Sequence, residues 1–216
     1  MNRRTIERAG ALGLAALLVG WNASAVLPYR WRHHPLTKAA VGAALAAATA
    51  APLGLRPPGL CAGLRWGAAA AGVVAAGVAA TTAVPPVADA MADRQLPETL
   101  WRWGMYEIPL GTVWAEEVAF RGALSSLAAR AFGPVGGRLL QAVAFGLSHV
   151  VDARGNGEPV AGTVLVTGAA GWVFDWLRAR SGSVLAPLLA HLAVNEAGAV
   201  AAVAVQRRRA ARGVRK

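Results

Sequence analysis

Six polar side chains that could carry out hydrolytic chemistry lie inside long apolar segments of this 216-residue chain. If those segments cross a membrane, each ionisable group costs about 2.5–3.5 kcal/mol to insert, and such groups by default mark a functional site. The fourth, fifth and seventh apolar segments hold them, whereas the first three have no charge well inside. The six residues are Glu116, Glu117, Arg121, His149, His191 and Asn195.

These residue types are the components of water-mediated acyl hydrolysis. Glu116 could accept a proton from water, with His149 beside it. His191 and Asn195 could donate hydrogen bonds to a developing oxyanion. Two histidines and a glutamate are also a familiar zinc set, so Glu116, His149 and His191 could instead hold Zn²⁺. The residues therefore leave metal-free and metal-assisted hydrolysis open.

Helical spacing relates these side chains to one another. Glu117 and Arg121 are four residues apart, which predicts an ion pair on one helix face. Glu116 is rotated by about 100° from Glu117, so one carboxylate can pair with Arg121 while the other faces elsewhere. Phe145 and His149 are likewise four residues apart and share a face.

The predicted depths of these groups are similar. A rise of about 1.5 Å per residue puts Glu116, His149 and Asn195 about 18–22 Å from the connections on one side, and His191 about 12 Å. Three helices therefore contribute groups to one layer near the midplane, which predicts a shared site.

Other protease chemistries fit the sequence less well. The chain contains no His-Glu-x-x-His, Gly-x-Ser-x-Gly or Gly-x-Gly-Asp motif. Its four aspartates lie in or near the connections between apolar segments. Ser148 adjoins His149, but neighbours in a helix do not face each other, which argues against a Ser-His pair.

The composition indicates that the helices carrying these groups lie in a membrane. Hydrophobic residues make up 56% of the chain and charged residues only 15%, with a mean hydropathy of +0.43; soluble domains carry about 25% charged residues. The net charge of +11 comes from basic residues between apolar runs and at the termini. This placement indicates orientation in the membrane and not binding of nucleic acid. The single cysteine, Cys61, excludes an internal disulfide.

The predicted fold is an all-α, polytopic transmembrane helix bundle of about seven or eight spans. We divide it into an accessory region, 1–104, with three spans, and a catalytic core, 105–216, ending in a basic tail of cytoplasmic type. Gly63 and Gly67 form a GxxxG pattern, which needs no special role in so glycine-rich a chain. The apolar segments are 9–27, 39–55, 66–84, 105–129, 139–151, 160–177 and 184–205, and Pro134 could start the fifth earlier.

The N-terminal segment has two interpretations. Its arginines precede an apolar run that ends in small residues near Ala25, which is the shape of a cleavable signal peptide. With so many apolar segments following, we favour an uncleaved first helix with a cytoplasmic N-terminus. The frequent use of Ala, Gly and Arg indicates a GC-rich genome. We expect the protein to be an integral protein of a bacterial plasma membrane.

Three motifs, in order, resemble the signature of a known family. EEVAFR at 116–121 matches EExxxR, FGLSH at 145–149 matches FxxxH, and HLAVN at 191–195 matches HxxxN. This signature is typical of the CAAX protease and bacteriocin-processing (CPBP, or Abi) family of intramembrane endopeptidases, which includes the type II CAAX prenyl endopeptidases. The resemblance covers about residues 105–205.

The resemblance implies a role for each matching residue. Glu116 would be the catalytic glutamate and His149 its partner in activating water. His191 and Asn195 would hold the oxyanion. It also implies hydrolysis without a catalytic metal, with zinc on Glu116, His149 and His191 as the alternative. The supporting residues would be Glu117, Arg121 and Phe145, and Glu196 stands where the family often has a second asparagine.

The predicted function is that of an intramembrane endopeptidase. Its partners would be membrane lipids and a peptide or protein substrate that enters the bilayer, and not nucleic acid. Two other classes stay open: a non-catalytic immunity or scaffold protein of the same family, and a proton-coupled transporter that titrates Glu116 or Glu117. The transporter is disfavoured because no repeat symmetry or paired broken helices are evident.

Overall fold

The computed structural model describes residues 2–24 and 27–213, and every regular element in these ranges is a helix. The predicted all-α class is therefore confirmed. Ala25, which ends the predicted cleavage site, and residues 214–216 of the basic tail lie outside the described ranges. The elements are α1 Arg3–Gly20, α2 Tyr29–Arg32, α3 Pro35–Ala48, α4 Gly59–Thr81, α5 Pro85–Asp93, α6 Leu100–Arg102, π1 Trp103–Trp114, π2 Glu117–Leu124, α7 Ser125–Ser148, α8 Val150–Gly155, α9 Val160–Ser181 and α10 Leu185–Gly213.

Each of the seven predicted apolar segments overlaps a helix. Three helices are long and apolar enough to cross a membrane: α4, α9 and the part Leu185–Ala211 of α10. The bounds of the earlier segments differ from the prediction. The second helix, α3, has Pro35 in its first turn, where a fixed φ suits a helix start, and it ends at Ala48, before Ala50 with a φ of 49°.

The fourth segment is wound differently from the prediction. Instead of one α-helix it contains π1 and π2, with Ala115 and Glu116 between them. Pro109 lies inside π1 and has no N–H to donate to an α-helical hydrogen bond. Most π-helices are single turns and many lie at functional sites, so Glu117, the first residue of π2, occupies unusual backbone, and Glu116 directly precedes it.

The helix α7 is broken in the middle. Gly133 has a φ of 76° and a ψ of 172°, which glycine adopts without the steric cost of a side chain, and Pro134 follows. The predicted early start of the fifth segment at Pro134 is therefore confirmed. The second part of α7 carries Phe145 and ends at Ser148, directly before His149.

Close contacts between helices depend on glycine. In α4, an added Cβ on Gly63 would lie 2.8 Å from Ser183 Oγ, and one on Gly67 would lie 2.8 Å from Leu189 Cδ1. Both glycines are buried. The expectation that this GxxxG has no special role is therefore wrong: it lets α4 approach the start of α10, because lipid-embedded helices associate through close packing of small residues.

A second such contact fixes the position of α3. An added Cβ on Gly42 would lie 2.8 Å from the carbonyl oxygen of Ala115, the residue before Glu116. Gly42→Ala is therefore expected to destabilise the protein by about 1–3 kcal/mol, because the helices must move apart. The control is Gly72→Ala in α4, where an added Cβ meets nothing within 4 Å. Unfolding in detergent measures both, and equal stability of the two variants would contradict this role of Gly42.

Candidate active site

Glu117 and Arg121 form a buried ion pair, as their spacing predicts. Arg121 Nη1 lies 3.0 Å from Glu117 Oε1, and both side chains have 0% exposure. The alignment is not that of a hydrogen bond, since Arg121 Nη1 has no hydrogen-bond partner. His191 of α10 donates through Nδ1 to the same Glu117 oxygen at 2.8 Å. Glu117 therefore ties π2 to α10.

Three aromatic rings surround the Arg121 guanidinium. Its Cζ lies 4.0 Å from the ring centroid of Phe145, 5.0 Å from that of Phe174 and 5.9 Å from that of Phe120. Rings at these distances attract a desolvated cation by about 2 kcal/mol. The supporting role predicted for Phe145 therefore has a physical basis, while Phe120 and Phe174 were not singled out from the sequence.

The same aromatic group orients His191. Phe174 stacks on the imidazole at 5.1 Å between ring centroids, and Phe145 meets it edge-on at 6.1 Å. With Nδ1 directed to Glu117, the Nε2 atom faces Glu116, whose Oε2 lies 4.0 Å away. His191 therefore lies between the two glutamates.

Glu116 has a different environment from Glu117. Its side chain is 21% exposed and lines a cavity of about 60 Å³ that Ser148 also lines. The Oε2 atom is buried and has no hydrogen-bond partner. A cavity of this size has room for water, which needs about 10–15 Å³. One carboxylate is thus paired with Arg121 and the other faces a cavity, as helical spacing predicts.

His149 caps the end of α7. Its Nδ1 lies 2.7 Å from the carbonyl oxygen of Phe145, and since a carbonyl only accepts, Nδ1 carries the proton in this arrangement. In the neutral ring, Nε2 is then the basic atom. No carboxylate oxygen of the described residues lies within 4.0 Å of a His149 ring nitrogen.

The expectation that Ser148 and His149 face apart is wrong. Ser148 Oγ lies 3.3 Å from His149 Nδ1, because α7 ends at Ser148 and His149 adopts φ −88° and ψ −2°. The hydroxyl donates to the Phe145 carbonyl at 2.8 Å. Because the nearby ring nitrogen also donates to that carbonyl, it cannot act as a base toward the serine.

Asn195 lies one turn after His191 on α10. Its Nδ2 donates to the backbone carbonyl of His191 at 3.2 Å. The neighbouring Glu196 has a buried Oε1 without a partner and lines a separate groove beside Trp103. The carboxylate that departs from the resembled motif therefore faces away from the Glu116 cavity.

The three residues of the alternative zinc set are not grouped together in this structure. Within residues 2–24 and 27–213, no three His, Cys, Asp or Glu side chains are grouped closely enough to hold a metal ion. His191 directs Nδ1 to Glu117 at 2.8 Å, which leaves Nε2 as its nitrogen for another partner. Glu116, His149 and His191 are therefore not arranged as a three-ligand site.

A family comparison covers the region that contains all of these residues. Residues 98–197 match the family described as type II CAAX prenyl endopeptidase Rce1-like. The comparisons with curated proteins and with solved structures give no match. The match includes all three motifs, so residues 98–197 of this integral membrane protein are similar to the Rce1-like family of type II CAAX prenyl endopeptidases.

Proposed function

We propose that the protein is an endopeptidase that hydrolyses a peptide bond within the membrane with water activated by Glu116. The observation that carries this proposal is the buried, unpartnered Oε2 of Glu116 beside a cavity large enough for water. The family supports a protease in general.

In the first step, Glu116 accepts a proton from water and the water oxygen bonds to the scissile carbonyl carbon. His149 assists through Nε2, the basic nitrogen left by its Nδ1 contact with Phe145. The carbonyl π electrons move onto oxygen, which becomes the oxyanion. Glu116 then returns its proton to the departing amine nitrogen as the carbon–nitrogen bond breaks.

The oxyanion is stabilised by His191. Its Nδ1 donates to Glu117, so a protonated ring has a second N–H, at Nε2, directed toward Glu116. Glu117 holds the ring in this orientation through Nδ1, and Arg121 pairs with the same Glu117 oxygen. Asn195 adds a second donor when its amide turns from the His191 carbonyl toward the substrate.

The test is peptide hydrolysis by the purified protein in detergent. A peptide library is incubated with wild type and with Glu116→Ala, each with and without a chelator. We expect cleavage by wild type, the same rate with chelator, and none by Glu116→Ala. Full activity of Glu116→Ala would overturn the proposal, and activity lost with chelator and restored by Zn²⁺ would replace the glutamate mechanism with a metal-dependent one.

A further inference from the structure

A groove lies between α10 and the segment that runs from α6 into π1, on residues 100–105 and 196–208. It is the groove beside Trp103 and is separate from the Glu116 cavity. Its volume is about 600 Å³, and pockets for small organic ligands measure about 300–1,000 Å³. Met105 and Val200 line it and are largely exposed, so in a membrane this α10 groove opens toward lipid.

The wall that α10 contributes is a single face of the helix. Between Glu196 and Arg207, the residues of α10 that line the groove are Ala199, Val200, Val203 and Ala204. Spacings of three and four residues place all six on one side of the helix. The eleven residues from Glu196 to Arg207 correspond to about 16 Å of helix, which is about half of the hydrocarbon core of about 30 Å. The groove is therefore an apolar track about as long as one leaflet is deep.

Two arginines lie at one end of this apolar track. Arg207 and Arg208 are exposed and line the groove, near the end of the membrane-spanning part Leu185–Ala211. Among the residues that the structure describes, no carboxylate oxygen lies within 4.0 Å of a guanidinium nitrogen of either one. Their neighbour Arg209 differs, since it forms an ion pair with Asp89. Two guanidinium groups are therefore available to an external anion.

The residues on either side of the arginine pair fix its position. Gln206 Nε2 donates to the backbone carbonyls of Met91 at 3.1 Å and of Arg94 at 2.8 Å. On the other side, Arg209 pairs with Asp89 of α5. An anion at Arg207 and Arg208 therefore meets a helix end that is already held against α5.

The size of the groove selects a narrow occupant. A helix with its side chains is about 10–12 Å across, so about 16 Å of a partner's transmembrane helix fills about 1,500 Å³, more than twice the groove. Glu196 bounds the inner end, since an added Cβ on Gly104 would lie 3.5 Å from its Oε2. A single hydrocarbon chain is thin enough to lie between Glu196 and the arginines.

We propose that the α10 groove binds one anionic phospholipid, with an acyl chain along the apolar track and the headgroup phosphate on Arg207 and Arg208. The planar N–H groups of arginine match the oxygens of a phosphate and form charge-assisted hydrogen bonds with them. The lipid thereby joins α10 to the start of π1. Because the groove is separate from the Glu116 cavity, this inference does not depend on the proposed endopeptidase function.

The experiment measures lipid binding by the purified full-length protein in detergent micelles. The protein is titrated with phosphatidylglycerol, whose headgroup is anionic, or with phosphatidylcholine, whose headgroup also carries a cation. Native mass spectrometry counts the lipids that each protein retains and gives Kd for the first one. We expect Kd for phosphatidylglycerol to be about tenfold lower, since the choline cation opposes the arginines. Glycerol phosphate, which has the anion without acyl chains, should not bind at the same concentrations.

Removal of the arginine pair tests the headgroup contact. In Arg207→Gln with Arg208→Gln, Kd for phosphatidylglycerol should rise about tenfold, to the value for phosphatidylcholine. The control is Arg3→Gln with Arg4→Gln, which removes the same net charge from exposed residues at the start of α1. Its Kd should match that of wild type, because α1 does not line the groove.

A variant that fills the groove tests the acyl-chain contact. Ala204→Phe places a ring in the apolar track and leaves both arginines, so Kd for both lipids should rise about tenfold. Ala69→Phe adds the same ring to the exposed face of α4 and should change neither Kd. Thermal unfolding of each variant checks that it is folded.

Four results would overturn the inference. Equal Kd values of wild type for the two lipids would do so, as would equal changes in the two double-arginine variants, which would indicate general attraction to positive charge. Unchanged binding by Ala204→Phe would place the lipid outside the groove. Tight binding of glycerol phosphate would replace the lipid with a free phosphate. No peptide hydrolysis enters these measurements, so they test the inference separately from the proposed function.

Discussion

Glu116→Gln is expected to lower kcat for peptide hydrolysis by about 10²–10⁴-fold, the range that general acid–base catalysis contributes. The amide has nearly the same size as the carboxylate but cannot accept the proton of water. Glu116 Oε2 has no hydrogen-bond partner and lies 4.0 Å from His191 Nε2, so the substitution removes only a long ionic contact, and the midpoint of thermal unfolding should change little. Stopped assays with a cleaved peptide and thermal unfolding in detergent measure the two quantities.

The matched control for Glu116→Gln is the same substitution at Glu196, the residue next to Asn195. Glu196→Gln removes a negative charge from α10 with an unpartnered Oε1, but in a groove separate from the Glu116 cavity. Its activity is expected to stay within a few-fold of wild type. If both variants lost activity to the same degree, the cause would be the loss of one negative charge from the membrane-spanning helices, and Glu116 would not be the base.

Arg121→Met is expected to destabilise the protein by about 3–5 kcal/mol, the cost of leaving one member of a buried ion pair uncompensated. Arg121 and Glu117 both have 0% exposure, so solvent cannot replace the lost partner. The variant also removes the cation between the rings of Phe145 and Phe174. Denaturant titration in detergent micelles measures the change in the free energy of unfolding.

The double variant Arg121→Met with Glu117→Gln tests whether the uncompensated charge of Glu117 causes this destabilisation. Without a charge on residue 117, the methionine leaves no uncompensated ion, and a glutamine oxygen can still accept from His191 Nδ1. The double variant should therefore be more stable than Arg121→Met alone. A double variant whose loss equals the sum of the two single losses would show that the pair contributes no coupling, and packing around Arg121 would then explain its effect.

Positions four residues apart on one helix were predictable without a structure. The rise and rotation of a helix bring Glu117 to Arg121, and they turn Glu116 away from that pair. The same reasoning placed the ionisable groups of three segments at similar depth, and the charge-poor composition indicated the membrane. The α-helical period survived even though the backbone at Glu117 is π-helical.

At the end of α7, helical spacing gave a wrong prediction of which side chains touch. Ser148 and His149 touch because the helix stops between them. A helix terminus is set by competing caps and by contacts with neighbouring segments, so the facing rule for helix interiors did not apply there.

Contacts between segments distant in the chain had no comparable signal in the sequence. Phe174 is one of several large apolar residues in its segment, and only packing places it between Arg121 and His191. From the sequence, Lys38 is a basic residue between two apolar segments. Only the close contact of Gly42 with Ala115 places it on the wall of the cavity.

The sequence by itself determined the membrane setting, the helical class and the identity of the costly polar residues, because composition and helical period are local properties. The tertiary structure decided that His191 joins the Glu117–Arg121 pair, that Glu116 lines a cavity, and which N-terminal side chains line that cavity with it. These arrangements depend on how closely the helices approach one another. Glycines such as Gly42 and Gly67 have no side chain, and this allows the close approach.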